Sequence, residues 1–173
     1  MTSSIYCVGK TNGGRKEMIV AENNNTPAKR VSIVSIKMVK EGSILYAGRK
    51  ITTSSQAAEI ARQFLEDCDR EKLIVCCLDT KNQPLSMSVV SIGSLNSSIV
   101  HPREVYKIAI LSNASSIILF NNHPSGDTTP SNEDISITTR LKECGKLIGV
   151  ELIDHIIISD EGKYCSLKEK GIL

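Results

Sequence analysis

The sequence predicts an α/β domain built on a mixed β-sheet flanked by helices. Two observations carry this. From about residue 31 onward, short apolar runs alternate with stretches of helical period. Two of the runs follow each other across a bare turn, as antiparallel neighbours do, whereas others are separated by a helix, as parallel neighbours require. The chain has 173 residues, 40% of them hydrophobic and 23% charged. That is globular composition, enough for one domain with a real core and too little for two of ordinary size.

Each element has a local reason. Residues 1–30 are polar, with Gly13-Gly14 and the run Asn23-Asn24-Asn25, and read as a flexible arm. VSIVSIKMV from Val31 alternates apolar and polar residues before its apolar end and predicts a strand. Residues 53–68 place apolar side chains at helical spacing, with Ser54 or Ser55 as N-cap. EKLIVCCLD (71–79) is a near-continuous apolar run short enough for a buried strand. The turn TKNQP leads into LSMSVVSIG (85–93), which pairs back as a hairpin and closes at Gly93. SLNSSIV is a loop. Pro102 opens a helix to about Asn113, at a position where its missing N–H costs nothing. SSIILF (115–120) is a buried strand, and residues 121–131 are a loop with two prolines and a glycine. Residues 132–148 form an amphipathic helix with Ile135, Leu141, Cys144, Leu147 and Ile148 on its inner face, ended by Gly149. Strands follow at 150–159 and at YCSL, with a turn at 160–163 between them. The predicted domain therefore spans residues 31–173 behind an arm of residues 1–30.

No apolar run approaches the roughly 20 residues of a membrane helix, and the N-terminus has no signal-peptide core. Six cysteines occur without a CxxC pair. Cys76 and Cys77 point to opposite faces of a strand and read as buried thiols. A reducing, cytoplasmic location is expected. Charge is uneven: residues 1–50 carry nine Lys/Arg against three Asp/Glu, while the remainder is acidic. The basic arm can serve as a solubilising tail or as a DNA contact. Gly9-Lys10-Thr11 ends like a phosphate-binding loop, but Ser4 stands where its first glycine belongs and no strand is predicted before it.

The segment from Asn121 to Asp134 gathers polar groups between a buried strand and a helix, where α/β proteins keep their sites. His123 and Asp134 are zinc ligand types. The same residues also suit plain structure: Ser131 to Asp134 is close to a capping box. His101 reads as a contact at a helix start, and His155 as a hydrogen-bonded core residue. Asp127 is placed to support the loop or orient His123.

The pattern H-P-x6-S-x2-D, filled by His123, Pro124, Ser131 and Asp134, resembles the core of the JAMM motif of JAB/MPN metalloproteases. The phrases LDTKN, GSLNSSIVHPREV, NHPSGD, TPSNED and DHIII resemble the RadC family in particular. The helix-hairpin-helix region that precedes this domain in longer members has no counterpart here, as in short RadC-like proteins often carried by mobile elements. The resemblance implies a JAB/MPN-like, cytidine-deaminase-like fold. It implies one Zn²⁺ per chain held by an H-x-H pair and an aspartate, a glutamate as general acid/base, and a serine on the oxyanion. Residue by residue, His123 matches the second histidine, Asp134 the aspartate, Ser131 the serine and Glu71 the glutamate. The first histidine falls on Asn121, whose amide oxygen is a poorer zinc donor than imidazole. The expected function is a zinc-dependent peptidase for peptide or isopeptide bonds with an impaired metal site. An oxygen-preferring ion such as Mn²⁺ would bind there only weakly. The alternative is a catalytically inactive protein- or DNA-binding module associated with DNA repair or mobile elements.

Overall fold

A computed structural model describes residues 8–12, 15–19, 30–65, 68–93, 100–159 and 162–173. The chain divides into two units, 1–37 and 38–173. In the first, β1 (Val8–Asn12) pairs antiparallel with β2 (Arg15–Ile19), Val8 opposite Ile19 and Asn12 opposite Arg15. Sequence reading predicts no strands there; the two-residue interval is the spacing of a tight hairpin. Residues 20–29 of the expected arm lie outside the described residues.

The strand expected at 31–39 does not form. Residues 30–46 carry no regular secondary structure, and Val31, Ile33, Val34 and Ile36 are exposed. Alternation marks a segment able to be a strand; without a ladder partner nothing fixes it as one.

The second unit holds a five-stranded sheet in the order β4-β3-β5-β6-β7. Helix α1 (Ser54–Leu65) leads to β3 (Lys72–Leu78), which runs antiparallel to both β4 (Pro84–Ile92) and β5 (Ser116–His123). Helix α2 (Pro102–Leu111) joins β4 to β5. Helix α3 (Asn132–Ile148) is the crossover from β5 to its parallel neighbour β6 (Glu151–Ser159), and β7 (Tyr164–Ser166) closes the far edge. The mixed α/β sheet predicted from sequence is thus present. Residues 94–99 of the expected loop and 160–161 of the expected turn lie outside the described residues.

Strand alternation divides the core. Leu73, Val75, Cys77, Ile117 and Leu119 face Val105, Tyr106 and Ala109 of α2 and Ile137 and Leu141 of α3. Ile74, Cys76, Leu78, Ile118, Phe120 and Ile156 face Ala57, Ala58, Ala61 and Leu65 of α1. Cys76 and Cys77 are buried, free and on opposite sides, as expected. The cap of α1 differs from expectation: Thr53 Oγ1 accepts from Gln56 N, while Ser54 Oγ donates to the buried Asp154 carboxylate on β6. That long-range partner is invisible to a local cap rule.

Helix α3 spans the predicted residues, but its buried stripe is Asp134, Ile137, Thr138, Leu141 and Gly145. Ile135 is half-buried, and Leu147 and Ile148 are exposed. Two polar residues occupy the inner face, so an apolar count turns the helix the wrong way. No helix among the described residues is long and apolar enough to cross a membrane.

Helices α2 and α3 meet at a glycine. A Cβ on Gly145 would stand 2.5 Å from Tyr106 Oη and 2.5 Å from the Val150 carbonyl oxygen. The buried Tyr106 hydroxyl donates to Leu141 O at 2.7 Å. Tyr106→Phe is therefore expected to lower stability by about 1 kcal/mol, read by urea unfolding. No loss would show that this bond contributes nothing net.

Candidate metal centre

Strand β5 does not stop at Phe120. Asn121 pairs with Leu73 on one side and Ile157 on the other, Asn122 with Ile158 and His123 with Ser159. The predicted loop therefore begins only after His123, and three polar residues ride on the strand end. Asn121 and His123 point toward α3, and Asn122 toward α1.

Three elements bring the ligand types together. Glu71 immediately precedes β3, His123 ends β5, and Asp134 sits in the first turn of α3. One ligand atom from each lies within 4.8 Å of the others. Nε2 of His123 is 3.4 Å from Asp134 Oδ2 and 3.7 Å from Glu71 Oε1. Asn121 joins them: its Nδ2 donates to Asp134 Oδ1 at 3.1 Å and to Glu71 Oε1 at 3.4 Å. All five residues expected at the site thus meet in one place, Ser131 included.

His123 Nδ1–H donates to the Asp127 carbonyl oxygen at 2.7 Å, which fixes the tautomer and leaves Nε2 facing the carboxylates. Asp127 thus orients His123 through its backbone; its side chain accepts from Thr129 N. The hydrogen bond to Asp134 raises the His123 pKa against the effect of burial.

Asp134 is fully buried. Its Oδ2 accepts from Ser131 N at 2.8 Å and from Ser131 Oγ at 2.6 Å, and its own N–H donates to Ser131 Oγ. This is a complete capping box. Burial alone would push the carboxyl up, but the bonds from His123 and Ser131 more than offset it and hold it at about 2. The Ser131 hydroxyl proton is directed at Asp134, so Ser131 here fixes that carboxylate in place.

Two contributors were not legible in the sequence. Asn122 accepts from Lys72 N at 2.7 Å and donates to Arg70 O at 3.0 Å, clamping the backbone on both sides of Glu71. Thr138 donates to Asp134 O, one turn back, at 2.6 Å. With that proton committed, Thr138 Oγ1 accepts from His155 Nδ1–H at 2.7 Å. His155 is fully buried and hydrogen-bonded, as expected, and burial lowers its pKa to about 4. His101 is the N-cap residue of α2 and makes no side-chain cap bond.

Two buried atoms behind the site lack partners, Asn121 Oδ1 and His155 Nε2. Each such group costs about 1–3 kcal/mol.

The donor set fits a divalent cation in part. Two carboxylates and an imidazole nitrogen converge, and the histidine tautomer is the one a ligand needs. The Asn121 amide instead presents an N–H, which cannot ligate.

Residues 51–172 match the family model described as the RadC-like JAB domain. Among curated relatives, a UPF0758 protein of Clostridium acetobutylicum is 59% identical over 124 residues, covering 72% of this chain and 54% of the relative. A UPF0758 protein of Methanosarcina barkeri is 50% identical over 125 residues, with coverage of 72% and 54%. One from Clostridium tetani is 56% identical over 123 residues, with coverage of 71% and 54%. The chain therefore spans about half the length of the curated relatives it matches.

Proposed function

Since the chain belongs to the RadC-like JAB domain family, we propose that it carries the metal-dependent machinery for hydrolysing peptide or isopeptide bonds, with a metal site weakened toward zinc. The observation that carries this reading is the Asn121 amide, which bridges Asp134 and Glu71 within the cluster of potential ligands. The cytoplasm is the proposed location, supported by five free cysteines among the described residues.

His123 Nε2 and Asp134 would hold the ion, and Glu71 faces the same point. A bound divalent cation supplies Lewis acidity and lowers the pKa of a water toward 7. Glu71, 22% exposed, takes a proton from the attacking water and delivers it to the leaving amine. Asn122 fixes the backbone from which Glu71 reaches. Ser131 keeps Asp134 ionised and aimed, and would serve the oxyanion only by giving up its bond to that carboxylate.

Zinc content tests the reading. The purified chain is expected to hold well under one zinc per molecule, and Asn121→His to raise zinc affinity at least about tenfold, because imidazole restores a favoured ligand. One tightly held zinc in the unaltered chain would overturn it. Peptidase activity, where found, should vanish in Glu71→Gln.

A second reading keeps the fold without chemistry, as a protein- or DNA-binding module. It is favoured by the same amide, which satisfies both carboxylates without an ion. DNA contact would then run through the basic residues of the N-terminal arm, and deleting residues 1–30 should weaken binding and flatten its salt dependence.

A further inference from the structure

Among the described residues, three buried side-chain N or O atoms lack a partner, and two of them lie behind the candidate metal centre. One is Oδ1 of Asn121, a residue with no solvent exposure whose carboxamide is aimed into the cluster. The other is Nε2 of His155. It is an acceptor, since the ring proton is spent on Thr138 Oγ1. Both residues sit on one face of the sheet on neighbouring strands, and His155 pairs with Leu119, two positions before Asn121. The core here has two acceptors too many and no donor for them.

A carboxamide has two faces of nearly equal size and opposite chemistry. Turning it by half a revolution about Cβ–Cγ exchanges Oδ1 and Nδ2. With N–H inward, Asn121 donates to Asp134 and Glu71, as observed. With oxygen inward, it would face two carboxylates and be repelled, unless a cation stood between them. The same turn would take Oδ1 out of the buried position in which it has no partner.

We propose that Asn121 is a two-state ligand: it donates to Glu71 and Asp134 when no ion is held, and turns Oδ1 inward to join Asp134 and His123 around an oxygen-preferring divalent cation, leaving Glu71 beside it as the base. This rests on the metal-centre reading above and names its ion class. Two oxygens and one imidazole nitrogen suit Mn²⁺ or Mg²⁺ better than the nitrogen-richer set of the family motif, although zinc remains the stronger binder at most such sites. The discriminating quantity is therefore the ratio of zinc to Mn²⁺ affinity.

The test uses the full chain with Mn²⁺ alone, read by electron paramagnetic resonance of the free ion, and zinc alone against a chromogenic chelator. One Mn²⁺ per chain is expected. Asn121→Ala should weaken it at least about tenfold, and Asn121→His should raise the zinc-to-Mn²⁺ ratio at least about tenfold. A readout free of folding effects is the Asn121 side-chain amide in the ¹⁵N spectrum of the unaltered protein, which should shift on titration with Mg²⁺. Equal Mn²⁺ affinity with and without the Asn121 side chain, or an amide that ignores Mg²⁺, overturns the proposal. Failure of the unaltered chain to take Mn²⁺, with zinc taken by Asn121→His, also overturns it and leaves the metal-centre reading intact. Failure of both proteins to take either ion overturns both.

Discussion

Asp134→Ala is expected to lower the unfolding free energy by about 3 kcal/mol at neutral pH and to abolish cation binding. The carboxylate accepts hydrogen bonds from Ser131 N, Ser131 Oγ and Asn121 Nδ2, and it faces His123 Nε2. The cap bond from the backbone N–H of residue 134 to Ser131 Oγ survives, but losing the carboxylate half of the capping box costs about 1 kcal/mol. Stranding the buried Asn121 amide adds about 1–3 kcal/mol. Removing a desolvated charge returns part of this, because a buried carboxylate is itself expensive. The donors win here, since the bonds from His123 and from the hydroxyl and backbone N–H of Ser131 hold the ionised form and keep its pKa near 2 despite burial. The sign follows from that depression. The folded-state value lies below the ordinary 3.8, so the carboxylate's contribution is present above that value and lost as pH falls through about 2. The penalty of Asp134→Ala should accordingly shrink near pH 2. Urea unfolding at pH 7 and in acid checks both points. A loss below about 1 kcal/mol at pH 7 would mean that relief of the buried charge cancels the lost bonds.

Helix α3 shows what local sequence decides. Its bounds were legible because Ser131 and Gly149 punctuate it chemically, one as a capping box and the other in the left-handed region with φ of 79°. Its rotation was not, because Asp134 and Thr138 face inward for reasons set by His123, Asn121 and His155 on distant strands. Strand β5 makes the same point: Asn121 and Asn122 look like loop residues, yet their backbones continue the ladder and their side chains find partners on β3 and α3. The segment 31–39 errs in the other direction, with strand pattern and no ladder. At the site, Glu71, His123, Ser131 and Asp134 were legible through a family-specific motif. Asn122 and Thr138 were not, because a residue that acts by positioning another carries no spacing of its own, and His155 was read as a hydrogen-bonded core residue without its place behind the site. The Asn121 departure was visible as a missing imidazole, and only the structure shows its amide bridging the two carboxylates.

The protein is expected to lose about 3 kcal/mol of stability between pH 6.5 and pH 4 through His155 alone. His155 is fully buried on β6, and burial depresses its pKa to about 4; the nearby Asp134 carboxylate opposes that shift, and His123 adds to it. The ring is neutral when folded at pH 7, with Nδ1–H on Thr138 and Nε2 unpartnered. In the unfolded chain it titrates near 6.5. Between these two values the unfolded state binds the extra proton, so stability falls as pH falls. His123 works in the opposite sense, because pairing with Asp134 raises its pKa. Its contribution is complete below 6.5 and lost as pH rises through the folded value. The two histidines therefore place maximum stability near neutral pH, with His155 setting the acid limb until Asp134 protonates. His155→Leu removes the acid-limb group while leaving the Thr138 hydroxyl its bond to the Asp134 carbonyl. Unfolding free energies measured from pH 7 to 4 should fall steeply in the unaltered chain and much less in His155→Leu. Parallel curves for the two would show that the buried imidazole does not govern acid sensitivity.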